Sequence, residues 1–186
     1  MNSISSTATP ELVVLLDEDG HATGTAAKTE VHGKETPLHL AFSCYVFNPE
    51  GRLLVTRRAL HKRTWPGVWS NSCCGHPAPD EPQEAAVHRR VREELGIELR
   101  DVRVCLPDFR YRAVDATGTV ENELCPVYTA LATEHPVPEE TEIVDWAWAD
   151  WPEFVRLAER APWAISPWAA EQAPLVAARL DSDRNR

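Results

Sequence analysis

Residues 82–96 constrain the fold more than any other stretch. They begin at a proline, carry Val87, Val91 and Leu95 four residues apart, and stop at Gly96, the residue type that most readily closes a helix. The spacing predicts a helix over 82–95 with one apolar stripe, and that stripe is expected to pack on a sheet. Projected at ~100° per residue, Glu94 falls on the flank of the stripe and Glu93 points away. A carboxylate beside an apolar face needs a partner. Glu84 also projects toward the stripe, but it lies in the first turn, where the helix dipole favours an acid.

Most of the remaining chain reads as strands. Residues 11–16 are apolar and β-branched and end at the turn Asp17-Glu18-Asp19-Gly20. Residues 21–37 have no period and read as an irregular connection containing Lys28 and His32. Strands at 38–47 and 52–58, joined by Asn48-Pro49-Glu50-Gly51, form a predicted hairpin. Further strands are expected over 102–105, 109–114, 119–131 and 143–148. Asp150 and Glu153 make a capping box for a helix through Arg160, and Ser166-Pro167 opens a last helix through about Leu180. The sum is an α+β fold, a mixed β-sheet flanked by helices in an α/β/α sandwich. A chain of 186 residues with 43% hydrophobic content supports one core. A single domain is expected over 11–180, with a disordered tail at 1–10 and a polar tail at 181–186.

Charge and cysteine usage exclude several functions. The net charge of -10 argues against nucleic acid and anionic membrane surfaces as partners. Local basic clusters, Arg57, Arg58, Lys62 and Arg63 in one region and Arg89, Arg90 and Arg92 in another, still leave room for a small polyanion such as a diphosphate. Five cysteines with no C-x-x-C pair and no secretory leader argue against a disulfide framework and for a reducing cytoplasm. The apolar run at 12–16 is too short to span a membrane.

Chemistry concentrates in Ser70-Asn71-Ser72-Cys73-Cys74-Gly75-His76-Pro77, which sets a thiol beside an imidazole at a strand end facing a loop-to-helix junction. Such junctions suit anion or metal binding. Glu121 and Glu123 alternate onto one face of their strand, where a shared cation would remove their repulsion. His32, His39 and His76 are the candidate co-ligands, and a set of histidines and carboxylates suits zinc, manganese or iron rather than calcium. The spacing of these residues does not by itself establish a metal site.

The segments Leu38-His39-Leu40-Ala41-Phe42, Thr56-Arg57-Arg58-Ala59-Leu60, Trp65-Pro66-Gly67-Val68-Trp69, Cys74-Gly75-His76-Pro77, Asp108-Phe109-Arg110-Tyr111-Arg112, Glu121-Asn122-Glu123 and Pro162-Trp163 through Ser166-Pro167-Trp168 resemble the type 1 isopentenyl diphosphate isomerases of the Nudix superfamily. The similarity runs in order from about Glu11 to Trp168. The run from Gly75 to Ile97 is similar to the Nudix box, with one departure: Arg90 stands where a hydrolytic member carries a glutamate. That departure counts against the runner-up, a Nudix hydrolase of a nucleoside or prenyl diphosphate. A catalytically silent Nudix-fold binding protein is the third reading, and the presence of both Cys74 and Glu123 counts against it.

The resemblance implies a metal-dependent isomerase that shifts a double bond by adding one proton and removing another through a tertiary carbocation, with no redox cofactor. It implies that His32, His39, His76, Glu121 and Glu123 hold one Mn2+ or Zn2+. Glu94, with the backbone carbonyl of Cys74, would hold a Mg2+ that bridges to the substrate diphosphate. Lys28, Arg58, Lys62 and Arg90 match or lie near positions that meet the diphosphate. Cys74 and Glu123 would be the proton-transfer pair, Tyr111 their hydrogen-bonding neighbour and Trp168 an aromatic face over the reacting carbons; which of the pair donates is left open. Trp65, Trp69, Trp163 and Trp168 are expected to wall the site from water. Cys73, Cys44, Cys105 and Cys125 are expected to pack rather than react. The protein is expected to act as a monomer.

Overall fold

The computed structural model describes residues 11–185. The chain starts with two antiparallel strands, β1 (Leu12–Leu16) and β2 (Ala22–Ala27), followed by the single turn of helix α1 (Lys28–Val31). The expected irregular connection over 21–37 is thus largely regular. Its Thr- and Ala-rich strand shows no alternation because it lies on a sheet edge and is mostly exposed.

Two of the expected strands each divide between two sheets. Residues 38–47 form β3 (His39–Leu40) and β4 (Phe42–Phe47), and residues 119–131 form β10 (Val120–Leu124) and β11 (Val127–Leu131). The breaks lie side by side. Ala41 N–H donates to Leu124 O and Ser43 N–H to Pro126 O, at 2.9 and 3.1 Å. Pro126 has no N–H for a continuing ladder, which favours the change of sheet there. One sheet runs β2-β1-β3-β10-β9, with β9 spanning Arg110–Val114, and β3 and β10 are parallel.

The second sheet runs β12-β5-β4-β11-β8, with β5 Leu53–Arg58, β8 Arg100–Leu106 and β12 Ile143–Ala149. Short strands β6 (Trp69–Ser70) and β7 (Cys73–Gly75) pair with β5 and β4. The expected hairpin of β4 with β5 meets only at Phe47 and Leu53, because the two strands diverge to admit β6 and β7.

Alternation along β4 and β5 builds a core on each face of the second sheet. Phe42, Cys44, Val46 and Leu54 pack with Ala86, Val87, Val91 and Leu95 of α2 (Gln83–Leu95). Tyr45, Leu53 and Val55 pack on the other face with Phe154 and Ala158 of α3 (Trp151–Arg160) and Trp168, Ala169, Ala173 and Val176 of α4 (Pro167–Arg184). This is the expected α/β/α sandwich. Gly96 closes α2 at φ 64°, and Asp150 and Ser166 cap α3 and α4 through Glu153 N–H and Ala169 N–H. The last helix continues to Arg184, four residues beyond its expected end and into the segment expected to be a polar tail. The tail expected at 1–10 lies outside the described residues. Among the described residues, no helix is long and apolar enough to cross a membrane.

Candidate active site

The site lies where the two sheets meet. Tyr111 on β9, Glu123 on β10 and His39 on β3 are direct cross-strand neighbours, so their side chains share a face. Tyr111 O–H donates to Glu123 Oε2 at 2.8 Å, and His39 Nε2 lies 3.5 Å from Glu123 Oε1. His76 follows directly after β7 and brings Nε2 to 3.2 Å from the same oxygen. His32, at the end of α1, places Nε2 2.8 Å from Glu121 Oε2. The three imidazole centroids are 5.1, 5.2 and 5.9 Å apart.

Of the five residues predicted as metal ligands, His32, His39, Glu121 and Glu123 are buried and His76 is half-buried. His32, His39, His76 and Glu123 can each turn one ligand atom to within 4.8 Å of the others. His39 Nδ1 bonds Pro37 O at 3.0 Å, which leaves its Nε2 lone pair facing the cluster. Among the described residues, His32 Nε2, His39 Nε2, His76 Nδ1 and Glu121 Oε2 are buried without a well-formed hydrogen bond, the 2.8 Å approach of His32 Nε2 to Glu121 Oε2 included. Orphaned imidazole nitrogens beside carboxylates are what a divalent cation would satisfy, so the residues fit the metal. Burial opposes charge on Glu123, yet the neighbouring imidazoles of His39 and His76 hold its carboxyl well below the usual range.

Cys74 sits opposite Ser43 in the β7–β4 ladder, with its Sγ 3.4 Å from Ser43 Oγ and 3.3 Å from Asn71 Oδ1. Burial pushes the thiol up to about 11 against the pull of those two contacts. Cys73 faces the other way, into the α2 core, as alternation requires. It does more than pack, since its Sγ lies 3.6 Å from Glu94 Oε2. Gly75 lets α2 close on this strand: an added Cβ would lie 2.9 Å from Arg90 Cγ and 3.0 Å from Phe42 Cζ.

A cavity of about 570 Å³ opens over these groups. Lys28, Arg58, Lys62 and Arg90 all line it, as do Glu94 and Trp168. Each cation already has a partner. Lys28 pairs with Glu11 at 2.9 Å, Lys62 with Glu142, and Arg90 with Glu94, while Arg58 donates to Thr64 O and Trp65 O. Arg89 and Arg92 instead pair with Glu81 and Glu98, and Arg57 donates to Gly67 O. Glu84 is exposed in the first turn of α2 and does not project toward the stripe.

The expected tryptophan walls divide. Trp168, 2% exposed, lines the cavity, with Arg58 5.4 Å above its ring and Trp65 edge-on behind it at 5.4 Å. Trp69 faces a separate groove beside Phe154, and Trp163 is 85% exposed. Trp163 sits in a short 3-10 turn, Pro162–Ala164, that holds its side chain outside the core. Sequence reasoning missed Asn71, Ser43, Gln172, Glu11 and Glu142. Asn71 stood within the motif that drew attention to Cys74; Glu142 had no local signal, since it reaches Lys62 only through the pairing of β12 with β5.

Residues 37–172 match the NUDIX domain. Solved structures with the same fold include a protein of Deinococcus radiodurans (TM-score 0.66, 21% identity, covering 91% of this chain and 99% of that one) and a MutT protein of Methanosarcina mazei (TM-score 0.59, 19% identity, 82% and 99%). Curated relatives named isopentenyl-diphosphate Delta-isomerase include those of Kocuria rhizophila, 58% identical over 169 residues (91% of this chain, 94% of the relative), and Mycolicibacterium vanbaalenii, 59% identical over 170 residues (91% and 93%). The chain belongs to the NUDIX family and, within it, to the isopentenyl-diphosphate Delta-isomerases.

Proposed function

We propose that this enzyme interconverts isopentenyl diphosphate and dimethylallyl diphosphate by proton addition and removal at the Cys74–Glu123 pair. The observation that carries the reading is one cavity lined by Cys74, Glu123 and the Trp168 ring together with Lys28, Arg58, Lys62 and Arg90. The cations suit a diphosphate. The thiol, the carboxylate and the ring suit an alkene that must pass through a cation.

We read Cys74, whose thiol burial pushes up to about 11, as the donor in the forward direction and Glu123, held low by its histidine neighbours, as the acceptor. The thiol gives its proton to the terminal carbon of isopentenyl diphosphate, whose π electrons form the new C–H bond and leave a tertiary cation. Glu123 takes a proton from the neighbouring methylene, and that C–H pair becomes the internal double bond. Tyr111 orients the accepting carboxylate through its bond to Oε2. Trp168 offers its π face to the cation, worth roughly 2 kcal/mol when water is excluded. Each positioned acid or base typically contributes about 10² to 10⁴ in rate.

His32, His39, His76, Glu121 and Glu123 would hold one Mn2+ or Zn2+, and Glu94 with the Cys74 carbonyl a Mg2+ that arrives with the diphosphate. Bound there, the cations supply positive charge that keeps Glu123 ionised and neutralises the phosphates. Lys28, Arg58, Lys62 and Arg90 anchor the diphosphate by exchanging their present acidic and carbonyl partners for phosphate oxygens. Arg90 beside Glu94 puts a cation where a hydrolase needs a carboxylate, which favours holding the diphosphate over cleaving it.

Substituting Cys74→Ala tests the reading. Turnover should fall at least about 10²-fold while substrate affinity changes little. Activity within a few-fold of wild type would overturn it.

A further inference from the structure

Asn71 is 1% exposed, and both ends of its amide are engaged. Its Nδ2 donates to Cys44 O at 3.1 Å and Cys73 O at 3.0 Å. Two backbone carbonyls fix which end is nitrogen, so Oδ1 is the acceptor on the other side. That oxygen is met by Cys74 Sγ at 3.3 Å, Trp168 Nε1 at 3.1 Å and Ser70 Oγ at 2.8 Å.

An amide oxygen has two lone pairs. Two of its three donors have alternatives: Trp168 N–H also reaches Ser70 Oγ at 3.0 Å, and Ser70 O–H can turn to Ser166 Oγ at 2.8 Å. The thiol has less choice. Its other neighbour, Ser43 Oγ, already receives Gln172 Nε2 at 3.0 Å, and Gln172 Oε1 in turn receives Tyr45 O–H at 3.2 Å. Ser43 O–H lies 3.4 Å from both Cys74 Sγ and Cys125 Sγ and can serve either. Asn71 Oδ1 can only accept and is the nearer contact of the Cys74 sulfur at 3.3 Å, so the thiol hydrogen points at Asn71.

We propose that Asn71 is a positioning residue for proton transfer: its one carbonyl oxygen fixes the direction of the Cys74 S–H bond and the plane of the Trp168 ring relative to each other. The proposal rests on the reading of Cys74 as proton donor. The donor and the aromatic face that meets the cation belong to different elements, β7 and α4, and Asn71 is the group that touches both. A loosened amide lets the thiol turn away from the substrate without altering the cations that hold the diphosphate. The cost therefore falls on the chemical step, where misplacement by ~1 Å is worth about 10² in rate.

The test combines infrared spectroscopy and kinetics. The S–H stretch absorbs in a region clear of other protein bands, and subtracting the Cys74→Ala spectrum from wild type isolates the Cys74 thiol. In the metal-loaded wild-type enzyme this band should be single, narrow and shifted to the low frequency of a hydrogen-bonded thiol; a broad band at the free-thiol frequency overturns the proposal even if no Asn71 variant folds. In Asn71→Ala, relative to an Asn71→Ala/Cys74→Ala reference, the band should move up and broaden. The same variant should lose about 10²-fold in kcat with KM within about threefold, and Asn71→Asp, which keeps an acceptor oxygen, should recover part of the loss. An unchanged band with unchanged kcat in Asn71→Ala overturns the positioning role while leaving Cys74 as donor. Retained activity in Cys74→Ala instead removes the reading on which the role rests.

Discussion

Alkylation of Cys74 by iodoacetamide probes the resting state on which the assignment of donor and acceptor depends. The reagent attacks the thiolate, so its rate reports how often the proton is absent. Burial pushes this thiol up to about 11. Against ~8.5 for a free cysteine, the thiolate at pH 7.5 is then roughly 300-fold scarcer. A more basic sulfur is also a better nucleophile, with a Brønsted slope of about 0.4–0.5, which returns about tenfold. Labelling should therefore run roughly 20- to 30-fold slower than that of a free thiol, before any allowance for the walls of the cavity.

The pH profile is free of that allowance. A raised pKa leaves the thiol protonated at every pH below the folded value. The rate should climb close to tenfold per pH unit from 7 to 10 and level only near 11. Peptide mapping by mass spectrometry of metal-free protein, sampled over time at each pH, measures it. A rate that levels below pH 9 would mean that a substantial fraction of Cys74 rests as thiolate, and the argument that it donates the first proton would fail.

Other perturbations reach the metal cluster, the diphosphate end and the packing beneath the site. Dialysis against a chelator should abolish turnover and lower Tm, since a metal present at ~100 times its Kd stabilises the fold by about 2.7 kcal/mol; added Mn2+ or Zn2+ should restore both, and a chelated enzyme with unchanged Tm and activity would contradict the ligand set. Glu94→Gln should raise the Mg2+ concentration needed for half-maximal rate by about tenfold or more, as expected when a carboxylate ligand is lost; an unaltered Mg2+ titration would remove Glu94 from that role. Gly75→Ala drives a methyl against Phe42 and Arg90 and should cost about 1–3 kcal/mol, seen as a Tm lower by roughly 3–10 °C. A Tm within a degree of wild type would show that α2 moves away from β7 freely.

How much of this was legible in the sequence depended on how local each determinant is. Gly96, Asp150-x-x-Glu153 and Ser166-Pro167 are punctuation, readable within a few residues, and they set helix ends where expected. The stripe of α2 gave its buried face and placed Glu94 correctly beside it. Periodicity could not show that 38–47 and 119–131 each cross from one sheet to the other, because a strand keeps its alternation through such a break and only Pro126 hints at it. The row Tyr111–Glu123–His39 exists because of that crossing, since it needs β3 parallel to β10. Residues alone suggested a shared cation at Glu121 and Glu123; that His32, His39 and His76 converge on it came from resemblance and now has geometry. The tryptophans failed for a similar reason: aromatic character predicts burial, and only the chain path around 162–164 decides that Trp163 is outside and Trp168 inside.

The central claim is that a proton enters one carbon and leaves another inside this cavity. Proton NMR of isopentenyl diphosphate incubated with metal-loaded enzyme in deuterated water tests it most directly. The account predicts dimethylallyl signals that grow in with deuterium in the methyl group formed from the terminal carbon, and loss of both in Cys74→Ala. Product without deuterium, or liberated phosphate with no dimethylallyl signal, would contradict it.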